Sequence, residues 1–405
     1  MSFSSLGLSE PVLRAIAAEG YETPTRIQQE AIGPVLAGRD LLGGAKTGTG
    51  KTAAFALPMI DRLRSGPRAR SGQPRALVLT PTRELALQVH ESFAAYGRHT
   101  PLHFAVVFGG VGQTPQEKAL RSGVDVLVAT PGRLLDLAEQ GHVRFDAIEI
   151  FVLDEADRML DLGFLPDVKR VIGRLPRVRQ TLFFSATLVP KILQLANELT
   201  RDAVRVEVDP PATTVDRIDE RVVFVEGADK TRELVSILYG AELKRTLVFT
   251  RTKHRADRLT KALVRDGIGA AAIHGNKSQG ARQAALGKFK SGDLEVLVAT
   301  DIAARGIDVD GVSHVINFDL PNEPESYVHR IGRTARAGAS GVAISLCSRE
   351  ELEYLRLIEK TIGHKLAGEG RPADVVRLDR PAQPSKQNDR RPNRRRRSGR
   401  GYRVA

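Results

Sequence analysis

Short runs of apolar, largely β-branched residues recur along the chain, and each is followed by a polar or glycine-containing turn and then by a helical pattern. Alternation of this kind is typical of βαβ units, in which a helix connects two parallel strands. The first half predicts strands at 76–80, 104–108, 125–129, 149–153 and 181–185. The second half predicts strands at 221–225, 246–250, 271–275, 295–299, 314–318 and 342–346. The predicted fold class is therefore α/β, with two tandem parallel-sheet domains.

The boundaries of these domains follow from length and local composition. A chain of 405 residues exceeds the size at which one hydrophobic core keeps growing. Two segments, 124–136 and 294–306, are nearly self-similar, which favours one shared fold for the two halves. Between the halves, 209–217 contains two prolines and no apolar periodicity, so it is predicted to be a linker and a hinge. We expect domains at 1–208 and 218–365.

The end of the chain has a different composition. From residue 366 the strand and helix patterns fade into Pro, Gln, Asn and Arg, which predicts a disordered tail over 366–405. Within it, 380–405 holds ten Lys or Arg against the single acid Asp389, and so carries nine of the thirteen net positive charges. A pI near 10.0 indicates a polyanionic partner, although ribosome-rich or membrane-surface association produces the same bias.

Overall composition excludes several classes of protein. Hydrophobic residues make up 41% of the chain and aromatic residues 5%, with no Trp, as expected of an α/β protein built on aliphatic side chains. No apolar run approaches membrane-spanning length, and the first residues lack the pattern of a secretory signal. The single cysteine, Cys347, excludes an intramolecular disulfide and a multi-cysteine metal site. We expect a core position for Cys347 and a cytoplasmic protein.

The sequence AKTGTGKT at 45–52 predicts a phosphate-binding loop, because it follows the short apolar strand DLLGG and precedes a helical stretch. Gly48 and Gly50 allow backbone N–H groups to converge on phosphate oxygens at a helix N-terminus. Lys51 is placed to neutralise the β- and γ-phosphates, and Thr52 to offer its hydroxyl to Mg²⁺. Taken alone, the motif is also compatible with a chance glycine-rich loop. Nucleotide contacts are expected from Ala45, Lys46, Thr47, Gly48, Thr49, Gly50, Lys51 and Thr52.

The sequence DEAD at 154–157 follows the predicted strand 149–153, which delivers two adjacent carboxylates to the carboxyl edge of the sheet. Asp154 is suited to hold Mg²⁺, and Glu155 to orient or deprotonate water. Adjacent carboxylates alone are more often a solvated acidic turn. The phosphate-binding loop upstream favours the catalytic interpretation.

Together these motifs resemble the DEAD-box family of ATP-dependent RNA helicases, and the resemblance covers the chain from residue 3 to the end of the second domain. It implies two RecA-like domains that close around ATP, Mg²⁺ and single-stranded RNA. The segment GYETPTRIQ at 20–28 resembles the adenine-reading motif of the family, and the Gln28 amide offers the donor and acceptor that suit adenine. Phe3 stands where the family stacks an aromatic ring on the base.

The chain departs from the family pattern at a few positions. Arg26 stands where Pro is frequent, and Ala45 replaces the first glycine of the phosphate-binding loop. Gly43 and Gly44 lie in the strand before that loop, and Ala335 replaces a glycine near the end of the second domain. We expect these changes to tune nucleotide affinity or crowd a turn without abolishing binding.

Turns and helix starts after other predicted strands resemble the RNA contacts of the family. Such positions present backbone N–H groups, hydroxyls and arginines to phosphates, although any one of them is equally an ordinary helix cap. They lie in PTRELALQ (81–88), Gly109-Gly110, TPGR (130–133), TLVFTRTK (246–253), QGAR (279–282) and ATDIAARGID (299–308). The resemblance assigns RNA contacts to Arg83, Gly110, Thr130, Gly132, Arg133, Arg251, Arg282, Thr300, Asp301 and Gly306. It also implies that Asp308 contacts the ribose of ATP. The SAT motif at 185–187 is expected to link the catalytic carboxylates to domain closure, through hydrogen bonds with Asp157.

The second domain has no phosphate-binding loop of its own, so its expected role is to complete the site of the first. In HRIGRTARAG at 329–338, Arg333 and Arg336 are predicted arginine fingers, which stabilise the γ-phosphoryl charge and are worth ~10³ to 10⁵ in rate. His329 is expected in the water and γ-phosphate network, with a structural histidine as the alternative. Because the fingers and Lys51 lie on different domains, hydrolysis requires closure, which RNA can favour.

The predicted function is an RNA-dependent ATPase that locally unwinds RNA duplexes or remodels RNA–protein complexes. RNA bound largely without sequence preference is the expected partner of a monomeric protein, with ribosome-assembly or RNA-degradation proteins as further candidates and no membrane. The basic tail and compact core resemble the bacterial RhlE-type branch. Two alternatives stay open: a DNA-directed motor with the same architecture, and a non-enzymatic RNA clamp that binds ATP.

Overall fold

The computed structural model describes residues 2–45, 48–208, 218–240, 245–304, 309, 311–335 and 340–368. The strands in these residues are β1 Leu41–Ala45, β2 Ala76–Leu79, β3 Phe104–Val107, β4 Val126–Ala129, β5 Ile150–Leu153, β6 Gln180–Ser185, β7 Val204–Val208, β8 Ile218–Phe224, β9 Thr246–Phe249, β10 Ala270–Ile273, β11 Val296–Ala299, β12 His314–Asn317 and β13 Gly341–Cys347. The helices are α1 Glu10–Ala18, α2 Arg26–Leu36, α3 Lys51–Leu63, α4 Arg83–Tyr96, α5 Thr114–Arg121, α6 Pro131–Glu139, α7 Ala156–Asp161, α8 Leu165–Ile172, α9 Pro190–Leu199, α10 Lys230–Gly240, α11 Lys253–Arg265, α12 Gln279–Ser291, α13 Asp301–Ala304, α14 Pro324–Ile331 and α15 Leu352–Ile362. Short 3-10 helices lie at Phe3–Leu6 and Arg349–Glu351.

The strands form a seven-stranded and a six-stranded sheet, which have the same topology apart from the extra edge strand β7 of the first. The spatial order is β3-β4-β2-β5-β6-β1-β7 in the first sheet and β10-β11-β9-β12-β13-β8 in the second. All strand pairs among the described residues are parallel. The self-similar segments fall on β4–α6 and β11–α13, which occupy the same place in the two sheets. The predicted α/β class with two parallel-sheet domains is confirmed.

The strand β7 is the one element of the first sheet that the sequence pattern did not predict. Its residues alternate between apolar and charged, and only Val206 and Val208 are buried. It lies at the edge of the sheet, where it pairs with β1 alone. An edge strand with one solvated face lacks the continuous apolar run that identifies a central parallel strand.

The central strands are apolar throughout because helices cover both faces of each sheet. Successive residues of β2 show this: Val78 packs in one buried cluster of the first domain and Leu77 in the other. Cys347, at the end of β13, is a buried free thiol in the core of the second domain, as predicted. Within the described residues, the helices are too short and too polar to cross a membrane.

The second domain extends further than the sequence indicated. The predicted tail began at residue 366, but Leu366 is 4% exposed and packs in the core. The Val222 N–H donates to the Ala367 carbonyl over 2.7 Å, and a Cβ at Gly368 would lie 2.4 Å from the Val222 carbonyl oxygen. These contacts reach back to β8 through backbone atoms, so no apolar periodicity near residue 366 marks the end of the domain in the sequence. The predicted linker 209–217 and the tail from 369 lie outside the described residues.

Candidate functional site

The order of the strands divides the carboxyl edge of the first sheet into two halves. In parallel sheets this edge is where ligands bind. The neighbouring strands β1, β6 and β5 are followed by the phosphate-binding loop, SAT and DEAD, and we call this the nucleotide half. The neighbouring strands β2, β4 and β3 are followed by the predicted RNA contacts, and we call this the RNA half. The predicted nucleotide motifs and the predicted RNA contacts alternate along the chain, but the folded sheet places them in separate halves of its edge.

The phosphate-binding loop connects β1 to α3 through glycines with left-handed backbone. Gly48 has φ 83° and Gly50 has φ 90°, which a residue with a side chain rarely adopts. Lys51 begins α3, is 6% exposed, and its Nζ donates to the Ala45 carbonyl over 2.7 Å. This contact closes the loop and holds a buried cation at its centre. Lys46 and Thr47 lie outside the described residues.

Gln28 connects the first turn of α2 to this loop. Its Nε2 donates to the Gly50 carbonyl over 3.2 Å, and its Oε1 accepts from the Thr25 N–H over 2.9 Å. A Cβ at Gly50 would lie 2.4 Å from Gln28 Nε2, so the glycine also makes room for the amide. The side chain is therefore fixed against the phosphate-binding loop, and its reading of adenine stays a prediction.

Phe3, which was expected to stack on the adenine base, is buried in the core of the first domain. It is 5% exposed and packs in the apolar cluster of the first domain with Leu8 and Val12. A ring that stacks on a base needs an uncovered face, so the structure gives Phe3 a packing role. The amphipathic context of the N-terminal residues could have indicated this, because Phe3 is followed by apolar residues at Leu6 and Leu8.

Packing accounts for the two unusual glycines of β1. A Cβ at Gly43 would lie 2.5 Å from the Phe184 ring, and one at Gly44 would lie 2.9 Å from Leu188. Arg26 lies on the surface, where it pairs with Glu30 over 2.8 Å. Gly43, Gly44 and Arg26 are therefore explained by packing and surface pairing, and none of these explanations involves a contact with the nucleotide. Ala335 has φ 54°, a left-handed conformation that favours glycine, so the expected crowding there appears as backbone strain.

The two carboxylates after β5 are buried beside Lys51. Asp154 is 2% exposed and Glu155 is 5% exposed, and Glu155 has φ 52°, a strained conformation that turns the chain from strand to helix. Burial raises the pKa of Asp154 to about 7 against the positive charge of Lys51. Burial also acts to raise the pKa of Glu155, but Arg158, Lys51 and Arg333 together hold it below its ordinary value. Glu155 is accordingly ionised, as an acceptor for a water proton must be.

Arg158 is a site residue that the sequence did not reveal. It is 8% exposed on α7, and its Nη1 donates to Glu155 Oε2 over 2.6 Å. In the sequence it looks like any basic residue one helical turn after an acid. The only available signal was its spacing, since residues three apart share a helix face.

The SAT turn is hydrogen-bonded to the DEAD motif, as the sequence predicted. The Asp157 N–H donates to Ser185 Oγ over 3.3 Å, and Asp157 Oδ2 accepts from the backbone and the hydroxyl of Thr187 at 2.9 and 3.1 Å. Ser185 Oγ in turn donates to the Thr187 carbonyl over 2.7 Å. The end of β6 and the start of α7 therefore form one rigid unit next to the buried carboxylates.

The second domain brings an arginine to the nucleotide half. Arg333 follows α14, and its Nε donates to the carbonyl of His329 on that helix over 3.2 Å. Its charge acts on Glu155 of the first domain, so the predicted finger and the predicted base share one electrostatic environment. Arg336, the second predicted finger, lies outside the described residues, as do Gly306 and Asp308.

In the RNA half, Arg83 lies at the start of α4 after β2, Arg133 in the first turn of α6 after β4, and Gly110 in the turn after β3. A Cβ at Gly110, which has φ 78°, would lie 2.0 Å from Arg83 Nη1, so the guanidinium rests on the bare glycine. Arg133 Nη2 donates to the Val111 carbonyl over 3.4 Å. Thr130 precedes α6, and Gly132 is exposed with no described atom within 4 Å of its missing Cβ. The predicted contacts Arg83, Gly110 and Arg133 are thus brought together on one surface.

The two domains meet at Glu84, which the sequence did not single out. Its Oε1 accepts from Gln279 Nε2 over 3.2 Å and lies 3.0 Å from Arg282 Nη2. Glu84 is 5% exposed and Gln279 is 4% exposed, so the contact is buried. Burial lowers the pKa of Arg83, and the positive charge of Arg282 lowers it further. A carboxylate of the first domain thus binds an amide and an arginine of the second domain.

Two predicted RNA contacts of the second domain are anchored within it. Asp301 starts α13, and its carboxylate accepts from Arg330 Nε and Nη2 at 2.5 and 2.7 Å. Arg330 is 2% exposed and lies over the Phe249 ring, with 5.0 Å between its guanidinium carbon and the centroid. Thr300, which precedes α13, accepts from the Ala303 N–H over 3.0 Å through its carbonyl. The buried Arg330, on the same helix as His329, therefore connects α13 to α14.

The residues near Lys51 fit Mg²⁺ delivered with a nucleotide. Asp154 and Thr52 supply a carboxylate and a hydroxyl, the hard oxygen ligands that Mg²⁺ prefers. The raised pKa of Asp154 indicates a buried carboxylate that needs a further cation to ionise fully. Among the described residues, no three His, Cys, Asp or Glu side chains form a metal cluster by themselves.

Comparison with known proteins identifies the family. A family model described as DEAD/DEAH box helicase matches residues 25–195, and one described as helicase conserved C-terminal domain matches 229–338. The chain is 42% identical over 381 residues to the ATP-dependent RNA helicase RhlB of Pseudomonas syringae, covering 93% of this chain and 96% of that protein. The chain belongs to the DEAD-box helicases. The RhlE-type branch stays a prediction.

Solved structures resemble the helicase over nearly its whole length. Saccharomyces cerevisiae Dbp5 bound to RNA and ADP BeF3 has a TM-score of 0.79 and 32% identity, covering 93% of this chain and 98% of that one. A Dbp5 variant bound to Nup159, a Gle1 variant, IP6 and ADP has a TM-score of 0.62 and 31% identity, covering 92% and 98%. The predicted RecA-like tandem architecture of DEAD-box proteins is thereby confirmed for the helicase.

Proposed function

We propose that the helicase hydrolyses ATP at a site built from both domains and uses RNA-favoured closure to open RNA duplexes or remodel RNA–protein complexes. The observation that carries the proposal is the buried contact of Glu84 with Gln279 and Arg282, which joins the two domains. The charge of Arg333 also acts across the domain boundary to lower the pKa of Glu155. Family membership supports the reaction class, and the geometry supports the division of labour between the domains.

In the proposed mechanism, the nucleotide half of the first domain holds the phosphates. Lys51 and the N–H groups at the start of α3 neutralise the β- and γ-phosphates. Asp154 and Thr52 would hold Mg²⁺, which when bound supplies charge neutralisation at the phosphate oxygens. Glu155 accepts a hydrogen bond from the attacking water and aligns it with the γ-phosphorus, while Arg158 fixes its carboxylate.

Closure adds the charge that the transition state needs. Arg333, with Arg336 and His329, would stabilise the phosphoryl oxygens that gain negative charge during in-line attack. The planar guanidinium groups lie on the second domain, so an open enzyme lacks them. Hydrolysis is therefore slow until both domains close, and product release follows when they separate.

RNA favours closure because its binding surface also spans both domains. Glu84, next to Arg83 in the first turn of α4, binds Gln279 and Arg282 of the second domain, so an RNA strand bound there would contact both domains at once. The domain arrangement supports this interpretation, since it resembles Dbp5 with RNA and ADP BeF3 at a TM-score of 0.79 and Dbp5 with Nup159, Gle1, IP6 and ADP at 0.62. Phosphate contacts of this kind carry no sequence information, which favours binding of many RNAs.

The basic segment 380–405 is proposed to add sequence-independent phosphate contacts. Its ten cations and one acid would displace counterions from RNA, so affinity should fall steeply with salt. Deleting 380–405 should weaken RNA binding and flatten its salt dependence, while the maximal ATPase rate stays near that of the full chain. An unchanged slope of log affinity against log salt in fluorescence anisotropy would contradict this role.

We further propose a monomeric protein of the cytoplasm, where a buried thiol such as Cys347 stays reduced. Ribosome-assembly and RNA-degradation proteins are proposed partners, on the ground that both act on structured RNA. Sedimentation analysis with and without RNA tests the oligomeric state.

The central experiment compares the native protein with Glu155→Gln in RNA-stimulated phosphate release and in displacement of a labelled RNA strand. The substitution keeps the volume of the side chain and removes its charge, so both activities should fall at least ~100-fold. Glu91→Gln, an exposed position on α4, is the control. Unwinding that persists in Glu155→Gln would favour an RNA clamp, and equal stimulation by DNA oligonucleotides would favour a DNA-directed motor.

A further inference from the structure

Arg251, just after β9, is held in a defined position by two side chains that follow β13, Glu351 and Tyr354. Its Nη2 donates to Glu351 Oε1 over 3.0 Å and to the Leu320 carbonyl over 3.2 Å. Its guanidinium carbon lies 5.2 Å from the centroid of the Tyr354 ring. Its own backbone N–H donates to Asp319 Oδ2 over 3.0 Å. Both side-chain bonds use Nη2, and among the described residues Nε and Nη1 donate to none.

Glu351 cannot follow Arg251 if the arginine moves. It is 4% exposed, and its Oε2 accepts from Lys230 Nζ and, over 3.1 Å each, from the N–H and hydroxyl of Ser348. Its Oε1 accepts from the Leu320 N–H over 3.2 Å. Donors from the starts of α10 and of the last 3-10 helix, and from the segment after β12, thus hold one carboxylate in place. Such a network is rigid because each buried group in it is satisfied.

Tyr354 covers the face of the guanidinium and is itself held by the core. It lies on the first turn of α15 and packs against the apolar cluster that contains Leu355 and Ile358. Arg251 nevertheless keeps 36% of its side chain exposed, so one edge of the guanidinium remains open to solvent. This arrangement suits a second planar, bidentate contact with an anionic oxygen pair such as a phosphate.

We propose that Glu351 and Tyr354 are positioning residues that preorganise Arg251 for a phosphate of the RNA backbone. The inference rests on the proposed function, in which Arg251 contacts RNA. An arginine free in solvent loses side-chain entropy when it binds a phosphate, whereas Arg251 has already lost it on folding. The start of α15, which has no predicted part in RNA binding, thereby sets the affinity of the second domain for RNA.

The test changes Tyr354 alone. Tyr354→Leu keeps an apolar side chain against the core and removes the ring, and should raise the RNA concentration at half-maximal ATPase about 3- to 10-fold. The maximal rate at saturating RNA should stay at the native value. Tyr354→Phe keeps the ring and should restore the native half-saturation. A purely structural role would instead lower the melting temperature and the maximal rate without changing the RNA dependence.

Tyr239→Leu is the matched control. Tyr239 is 67% exposed on α10 of the same domain, where its hydroxyl donates to the Asp266 carbonyl, and its loss should not change RNA dependence. In an Arg251→Ala background, Tyr354→Leu should have no further effect, because the two residues act as one unit. The proposal is overturned if Tyr354→Leu behaves as the native protein, if Tyr354→Phe is no better than Tyr354→Leu, or if the two effects add.

Failure of the inference is distinguishable from failure of the proposed function. Glu155→Gln with undiminished hydrolysis overturns the proposed function, whatever Tyr354 does. If Glu155→Gln abolishes RNA-triggered hydrolysis and Tyr354→Leu binds a labelled oligo-U with native affinity in the presence of a non-hydrolysable ATP analogue, only the positioning role is wrong. Should Tyr354→Leu not fold, Arg251→Lys replaces it: the charge stays while the planar pairing is lost, and the same rise in half-saturating RNA is expected.

Discussion

The nucleotide half and the RNA half of the first domain stand on the same sheet edge but are built differently. In the nucleotide half Lys51, Asp154 and Glu155 are all less than 10% exposed, and each is fixed by a hydrogen bond or a neighbouring charge. In the RNA half Arg83 is partly exposed and Gly132 is exposed. Chemistry on a phosphoryl group needs fixed charges in a dry site, whereas binding of a long polyanion needs accessible donors.

The second domain repeats the topology without repeating the chemistry. Its strand β8 takes the place of β1, but the segment after it contains Glu226 and Asp229 in place of a phosphate-binding loop. Acidic residues there would repel phosphate, so this segment is not a second nucleotide site. The proposed role of the second domain is to supply arginines to the site of the first. The contrast predicts that substitutions at the nucleotide half change the maximal rate, and substitutions at the RNA half change the RNA concentration required.

The largest effect is expected from Arg333→Ala. Loss of an arginine finger should lower the maximal RNA-stimulated ATPase rate by ~10³ while RNA affinity stays within a factor of about two. Steady-state phosphate release at saturating RNA measures the first quantity and fluorescence anisotropy the second. Arg265→Ala is the control, since Arg265 is 78% exposed in the last turn of α11. If Arg333→Ala instead raised the RNA concentration at half-maximal ATPase and left the maximal rate unchanged, the proposed separation of roles between the nucleotide half and the RNA half would be wrong.

Glu84 tests whether closure is carried by the buried contact between the domains. Glu84→Ala leaves Arg282 without its carboxylate partner and Gln279 without its acceptor, and should raise the RNA concentration at half-maximal ATPase about 10- to 100-fold. Arg282→Ala should do the same, and the double variant should be no worse than either single one, because both act through one pair. Additive losses would mean that Glu84 and Arg282 act separately.

Sequence patterns could predict the strands and the loops after them because both are local. A continuous apolar run identifies a central strand, and AKTGTGKT or DEAD carries its chemistry in adjacent residues. The partners of those residues are not local. Glu84 looks like an ordinary first-turn acid of α4, and its contact with Gln279 joins residues 195 positions apart. Lys230 and Glu351 are 121 positions apart, and the sequence around neither residue predicts their contact.

Other differences have equally physical reasons. Phe3 was assigned to a base by analogy, whereas burial depends on the whole cluster around it. The strand β7 lacks the apolar run of a central strand because its outer face is solvated. Gly43 looked like a departure near the nucleotide, but only the three-dimensional structure shows the Phe184 ring where its side chain would be. The sequence therefore predicts which segments line the candidate site, whereas the contacts of each side chain depend on the tertiary packing around it.

A smaller effect, with a closely matched control, is expected from Gly110→Ala. The new Cβ would lie 2.0 Å from Arg83 Nη1, and because this is the end of a flexible side chain, the guanidinium should move without disturbing the core. RNA affinity should fall about tenfold through the lost charged contact, with the maximal ATPase rate unchanged. Gly141→Ala is the matched control, since Gly141 has φ 79° but no described atom within 4 Å of its missing Cβ. Both variants carry the same backbone strain and should lose similar melting temperature, so a difference in RNA affinity isolates the position of Arg83. Equal affinities would mean that the contact between Arg83 and Gly110 does not matter for RNA.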